Sequence, residues 1–224
     1  MLNFVVDPKI VESLVPSGTE IDFENGETYL SMVGFLFLDT RLLGLPVPLH
    51  RDFEEVNLRF YVRRKSADTW RRGVVFVREL VPKRAIATIA RVFYGEPYLA
   101  VPMSHEIEHT DGKLKVKYSW RRGTKGESIN MNASGEAQAI PAGSHAEFIT
   151  EHYWGYAVQR DGGTVEYQVE HPRWLVWEAV DSRLDCDVRA VYGAAFVEAL
   201  SAAPGSAFVA LGSAVTVRRG VRIA

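Results

Sequence analysis

Residues 54–64 read EEVNLRFYVRR, and the alternation is strict. Val56, Leu58, Phe60 and Val62 fall on one side of an extended chain; Glu55, Asn57, Arg59, Tyr61 and Arg63 fall on the other. A helix would scatter both sets around its circumference, so this stretch commits the chain to a long strand with one apolar and one polar face. The same period recurs along the chain. TYLSMVGFLFLDTRL, after Asn25-Gly26, is rich in β-branched and aromatic residues and reads as a long, mostly buried strand. GVVFVREL at 73–80, apolar on both faces, reads as the partner of 54–64 across a polar connection at 65–72. Asp111-Gly112 separates SHEIEHT from KLKVKYSWRR, and Asp161-Gly162-Gly163 separates YWGYAVQR from TVEYQVEH; both read as hairpins.

Adding ESINMNAS, WLVWEAV, LDCDVRAVY and a final SAVTVRRGVRI gives roughly ten strands with no regular βαβ alternation. Helix signals are fewer. Asp7-Pro8 starts a short helix running through Val15, Ser144 with Glu147 suggests a capping box, and a small helix is expected at 194–202. A further helix is expected over 83–94, opened by Pro82, with Ile86, Ile89, Ala90 and Phe93 on one face. Gly95 stops it and Pro97 prevents its restart. The pattern predicts a mainly β fold: one domain over 1–224, a closed or nearly closed antiparallel β-barrel with two or three peripheral helices.

Composition narrows the partners. The 224 residues carry 26 basic and 28 acidic side chains, a net charge of −2, which offers no electrostatic footprint for nucleic acid or an anionic membrane. The local cluster Arg63-Arg64-Lys65 with Arg71-Arg72 reads as a solvated hairpin rim. Cys186 is the single cysteine, so no intrachain disulfide forms, and its place in an alternating strand reads as structural. MLNFVVDPKIVESLVP lacks a basic start followed by a sustained apolar run, and no apolar run approaches the ~20 residues of a membrane helix. The expectation is a soluble, cytoplasmic protein; a homo-oligomer is compatible with it.

His105-Glu106-Ile107-Glu108-His109 fits H-E-x-x-H, a zinc motif that requires a helix so that both histidines share one face. Pro102 upstream and Asp111-Gly112 downstream leave about two turns, too few for an isolated helix. As a strand the segment puts His105, Ile107 and His109 on one face and the glutamates on the other, so no metal is expected. RRGTKGES lacks the phosphate-loop spacing, GAAFVEALSAAPG is no dinucleotide fingerprint, and no G-x-S-x-G elbow occurs, so no cofactor is expected.

That leaves the polar face of 54–64. It faces either solvent, the common case on an antiparallel sheet, or a lumen, where Arg59 would be a fixed cation for a carboxylate with Glu55 and Tyr61 beside it.

FEEVNLRFYV (53–62), GVVFVREL and IARVFYGEPYLAVPM (89–103) together resemble the uncharacterised YqjF-like family DUF2071. YLSMVGFLFLDTRLLG (29–44), YSWRRG (118–123), FITEHYWGY (148–156) and HPRW (171–174) extend the likeness over most of the chain. His152 departs from it, standing where an arginine is expected. The family looks like a relative of acetoacetate decarboxylase, which implies an acetoacetate decarboxylase-like β-barrel around a central cavity. In those enzymes the segment matching Pro97-Tyr98-Leu99 carries Pro-Lys-Lys; the first lysine forms the Schiff base and the second lowers its pKa. The resemblance therefore implies a barrel without that nucleophile. Glu55 resembles the decarboxylases' active-site glutamate. The resulting expectation is a pocket lined by Glu55, Asn57, Arg59 and Tyr98 that takes a small polar or carboxylate ligand. Lys113, Lys115 and Lys117 share a polar strand face with nothing nearby to activate them. The other expectation is an enzyme acting on a small carbonyl or carboxylate compound without a Schiff base.

Overall fold

The structure, a computed structural model, describes residues 1–42, 45–46, 51–82 and 97–224. The helix expected over 83–94 and its Gly95 stop lie outside the described residues.

One large sheet dominates. From one edge to the other its strands are Thr216–Val217, Thr164–Glu170, Trp154–Val158, Thr69–Val81, Phe53–Ser66, Thr28–Phe37, Leu2–Val6, Ser206–Ala210, Leu175–Asp185, Lys125–Ser134, Lys113–Arg122 and Met103–Thr110. The sheet is not closed, since its two edge strands do not pair among the described residues. It nevertheless curls until its far parts meet. A Cβ on Gly34 would lie 2.7 Å from the Tyr118 ring, so the Thr28–Phe37 strand and the Lys113–Arg122 strand press face to face. Only a glycine permits that approach. Pairing is antiparallel except where Thr69–Val81 runs parallel to Trp154–Val158 on one flank and to Tyr98–Ala100 at its end.

The hairpin at the centre is tighter than expected. Phe53–Ser66 and Thr69–Val81 pair out to Ser66↔Thr69, so most of the polar 65–72 connection is strand and Ala67-Asp68 alone make the turn. Ala67 takes a left-handed φ of 50° there. Asp111 and Gly112 likewise take φ of 54° and 68°, the geometry that a two-residue hairpin demands.

Three other expectations are corrected. LDCDVRAVY is not one strand: Leu175–Asp185 ends before it finishes, and Asp187 accepts a hydrogen bond from the Ala190 amide to cap a helix at Val188–Val191. SAVTVRRGVRI holds two short pairings, Thr216–Val217 and Val221–Arg222, rather than one strand. Leu2–Val6 and Ser206–Ala210, to which the sequence pattern assigns no element, are central strands that pair with each other. The first helix is short, Pro8–Glu12, and another covers His145–Thr150, where the Ser144 hydroxyl accepts from the Glu147 amide as expected.

The curl of the sheet encloses the main core. Leu30, Met32, Val56, Leu58 and Phe60 pack there against Tyr118, Trp120, Ile129 and Met131. A second cluster lies on the opposite face of the central strands. Tyr29, Val33, Tyr61 and Val74 are covered there by Phe148 and Ile149 of the His145–Thr150 helix. Both faces of Phe53–Ser66 are therefore buried as far as Val62.

Candidate functional site

A strand buried on both faces while carrying Glu55, Asn57 and Arg59 must account for each polar atom it takes out of water. Glu55 and Asn57 are each 2% exposed. The Asn57 amide donates to Glu55 Oε1 at 3.0 Å, and the Tyr98 hydroxyl donates to Glu55 Oε2 at 3.3 Å. Tyr98 reaches this point because Tyr98–Ala100 runs alongside the end of Thr69–Val81, in the register Glu79↔Tyr98. Glu79 is itself 2% exposed and stands opposite Asn57, and its side chain hydrogen-bonds Glu55. Burial raises the Glu55 carboxyl from its ordinary 4.5 to about 7, against the opposing pull of Asn57, Tyr98, Glu79 and the Arg59 charge. At neutral pH this carboxyl is poised between its two forms, able to donate or accept a proton.

Three of the four expected residues thus meet. Arg59 joins them by charge rather than by contact. Its guanidinium lies 5.7 Å from the centre of the Tyr61 ring, and its Nη2 makes a long contact of 3.4 Å to the Ile149 carbonyl. No carboxylate pairs with it among the described residues, and its buried Nε has no hydrogen-bond partner. Every other arginine that touches this face is matched: Arg63 to Glu20 at 2.7 Å, and Arg72 to Asp22 at 2.6 Å.

The space that holds these groups is neither solvent nor the interior around which the sheet curls. The apolar alternates Val56, Leu58 and Phe60 fill that interior. The polar ladder is on the other face of the strand. At one end Arg59 reaches the Ile149 carbonyl of the His145–Thr150 helix, where Tyr61 and Val33 meet Phe148. At the other Tyr98, which bonds Glu55, packs with Phe37, Phe53 and Val81. Two open clefts lie elsewhere. One of about 490 Å³ is lined by Glu12, Val15, Glu20, Ile21, Phe23 and Arg63; the other, about 280 Å³, lies over the Lys115 and Lys117 face. Both are surface depressions among solvated side chains, and the buried titratable chemistry is in neither.

Sequence reasoning missed Glu79, although a carboxylate inside the apolar run GVVFVREL was the available signal. It also left His152 as a departure without a role. That side chain is buried, with Nε2 3.1 Å from Asp22 Oδ2 and its ring 4.6 Å from Tyr61.

The HEIEH segment is extended within Met103–Thr110 and largely exposed. His105 meets Glu54 at 2.8 Å and His109 packs edge-on against Trp177, so the two histidines serve different neighbours. No group of three His, Cys, Asp or Glu able to hold a metal occurs among the described residues. Burial pushes the Cys186 thiol up to about 12, which keeps it protonated and unreactive. No helix among the described residues is long and apolar enough to cross a membrane.

Comparison with known proteins places this geometry. The family DUF2071, described as an uncharacterized conserved protein, matches residues 1–214. The uncharacterized protein YqjF of Bacillus subtilis (strain 168) is 30% identical over 182 residues, which are 79% of this chain and 71% of that protein. Among solved structures, acetoacetate decarboxylase superposes with a TM-score of 0.64 at 14% identity, covering 99% of this chain and 84% of that one. The enduracididine biosynthesis enzyme MppR, complexed with pyruvate, superposes with a TM-score of 0.60 at 12% identity, covering 99% and 81%. At such identities the likeness concerns the fold: an acetoacetate decarboxylase-like, mainly β architecture.

Proposed function

The chain belongs to the DUF2071 family, and on that premise we propose that it binds a small carboxylate-bearing molecule between the Phe53–Ser66 strand and the His145–Thr150 helix. One observation carries the reading. Among the described residues Arg59 is half-buried with no carboxylate partner and with a buried Nε that no acceptor reaches. A guanidinium removed from water without a counter-charge is costly, and an entering carboxylate satisfies both its charge and its fork of donors. Glu55, with Asn57 and Tyr98 on its two oxygens, supplies a neutral or ionised polar contact for the rest of the molecule. That MppR takes up pyruvate on this fold supports the ligand class.

The reading invokes no Schiff base. Tyr98 has a hydroxyl where the resemblance to the decarboxylases places the reactive amine. Lys113 and Lys115 are exposed to water on the surface of their strand. It also invokes no cofactor, metal or nucleic acid, and it treats 1–224 as one domain of a cytoplasmic protein.

Calorimetric titration of pyruvate, acetoacetate and acetate into the protein and its Arg59→Met variant tests the reading. At least one acid should bind the parent protein, and the variant should lose about tenfold or more in affinity. Equal affinity for both proteins would remove Arg59 from the site and the proposal with it. Borohydride reduction in the presence of acetoacetate should leave no adduct; a reduced adduct on Lys113, Lys115 or Lys117 would replace this reading with a relocated amine.

A second reading, acid–base catalysis on a bound carbonyl compound, is favoured by the Glu55–Glu79 pair, because a carboxyl near 7 suits proton transfer at neutral pH. Loss of substrate signals over time in proton NMR, abolished by Glu55→Gln, distinguishes turnover from simple binding.

A further inference from the structure

Beyond Glu55, the layer beneath the His145–Thr150 helix holds one more group that ordinary packing does not explain. The His152 side chain is 1% exposed, and its Nε2 lies 3.1 Å from Asp22 Oδ2. Asp22 also accepts from Arg72 Nε at 2.6 Å. Burial alone would raise the Asp22 carboxyl, but the hydrogen bonds and charges of His152 and Arg72 hold it below its ordinary value. Ionised, it can only accept, so His152 Nε2 carries the hydrogen. Burial keeps the imidazole itself neutral, down to about 4. The other nitrogen, Nδ1, is consequently a bare lone pair, and it is buried with no hydrogen-bond partner among the described residues.

Arg59 Nε and His152 Nδ1 are therefore complementary orphans among the described residues, a donor without an acceptor and an acceptor without a donor. They share one ring: the Arg59 guanidinium lies 5.7 Å and the His152 ring 4.6 Å from the centre of Tyr61. Arg59 Nη2 also reaches the carbonyl of Ile149, three residues before His152 in the chain.

We propose that the ligand is a small hydroxy acid, its carboxylate on Arg59 and its hydroxyl donating to His152 Nδ1. This rests on the carboxylate reading above and adds the second group. An oxo acid of the same size would set a carbonyl lone pair against the Nδ1 lone pair. An amino acid would also offer a donor, but its ammonium would enter beside two guanidiniums, Arg59 and Arg72, the latter 4.8 Å from the Phe148 ring that packs on His152. A site built to receive a hydroxyl hydrogen rejects analogues that lack it, since its buried acceptor is then left unpaired.

Calorimetry with matched pairs, lactate against pyruvate and 3-hydroxybutyrate against acetoacetate, tests the proposal on the unmodified protein. In at least one pair the hydroxy acid should bind about tenfold or more tightly than its oxo partner. His152→Phe should erase that preference while leaving the oxo acid's affinity in place. If neither member of either pair binds, the carboxylate reading falls and takes this inference with it. If both members bind equally, the hydroxyl inference is overturned while the Arg59 reading stands. A preference that survives His152→Phe also overturns it. Should that variant not fold, a crystal structure of the parent protein with the tighter hydroxy acid decides. A hydroxyl oxygen within hydrogen-bond distance of Nδ1 supports the assignment, and one directed elsewhere overturns it.

Discussion

Glu127 and Glu55 are buried to the same degree, 2% exposed each, yet their surroundings treat the charge in opposite ways. Glu127 accepts from Arg122 Nε at 3.0 Å and Nη2 at 3.2 Å, and from the Asp187 amide at 2.8 Å. Burial alone would raise its carboxyl, but the Arg122 fork and that amide hold it below the ordinary range. It ties the hairpin of Lys113–Arg122 and Lys125–Ser134 to the cap of the Val188–Val191 helix. Glu55 receives an amide and a phenol instead of a guanidinium, and burial wins. A carboxylate held ionised by a fork of donors is part of the frame. Glu55 is instead left to titrate near neutrality, with the Arg59 charge nearby and no guanidinium in contact with it.

The contrast can be broken at its stiff end first. Arg122→Ala leaves Glu127 buried without its counter-charge and should cost about 3 kcal/mol or more in denaturant unfolding. A loss under about 1 kcal/mol would mean that Glu127 is no more a frame element than Glu55.

The pH dependence of stability should separate the two carboxyls next. The folded Glu55 value, about 7, lies above its ordinary 4.5, so its contribution is complete below about pH 4.5 and is lost as pH rises towards 7. At about 1.4 kcal/mol per unit of difference, that loss comes to about 3 to 4 kcal/mol. Glu127 and Asp22, held low, contribute in the other direction: their stabilisation is present above the ordinary carboxyl range and is lost as pH falls through it. Glu55→Gln should therefore flatten the fall in stability between about pH 4.5 and 7 and stabilise the protein above it. Urea midpoints of both proteins across that window measure this; parallel curves would show that Glu55 does not titrate there.

Arg59→Met should shift stability by less than about 1 kcal/mol, or raise it, because the guanidinium removed has no carboxylate to strand. A loss near 3 kcal/mol in the same unfolding measurement would move Arg59 to the frame side of the comparison.

The smallest effect is expected at the other sequence motif. His105→Ala removes an exposed contact to Glu54 and should change stability by less than about 0.5 kcal/mol. Metal analysis of the untagged parent protein should find no stoichiometric zinc; one zinc per chain, lost in the variant, would overturn the strand reading of HEIEH.

Much of this was legible from local pattern. The strict alternation of 54–64 fixed a strand and sorted its side chains into two sets, because Cβ direction in an extended chain depends only on the residue's place along it. The turn at Asp111-Gly112 was legible because few residues accept left-handed φ. The strands Leu2–Val6 and Ser206–Ala210 were not legible. Each is five residues long without clear alternation, and each pairs with the other across about two hundred residues of chain and with a second strand about thirty residues away. Cys186 looked like part of a strand until the Asp187 cap turned the chain into a helix.

For the site, the sequence alone determined that Glu55, Asn57 and Arg59 share one direction and that Pro97-Tyr98-Leu99 carries no amine. Tertiary structure decided what that direction faces. The His145–Thr150 helix covers Tyr61 and meets Arg59, register sets Glu79 opposite Asn57 and Tyr98 beside Glu79, and Arg59 turns to Tyr61 and Ile149 rather than to Glu55. The reason is one of range. Side-chain alternation is a property of neighbouring peptide units, whereas burial, pairing and the resulting pKa depend on which distant segments arrive to exclude the water.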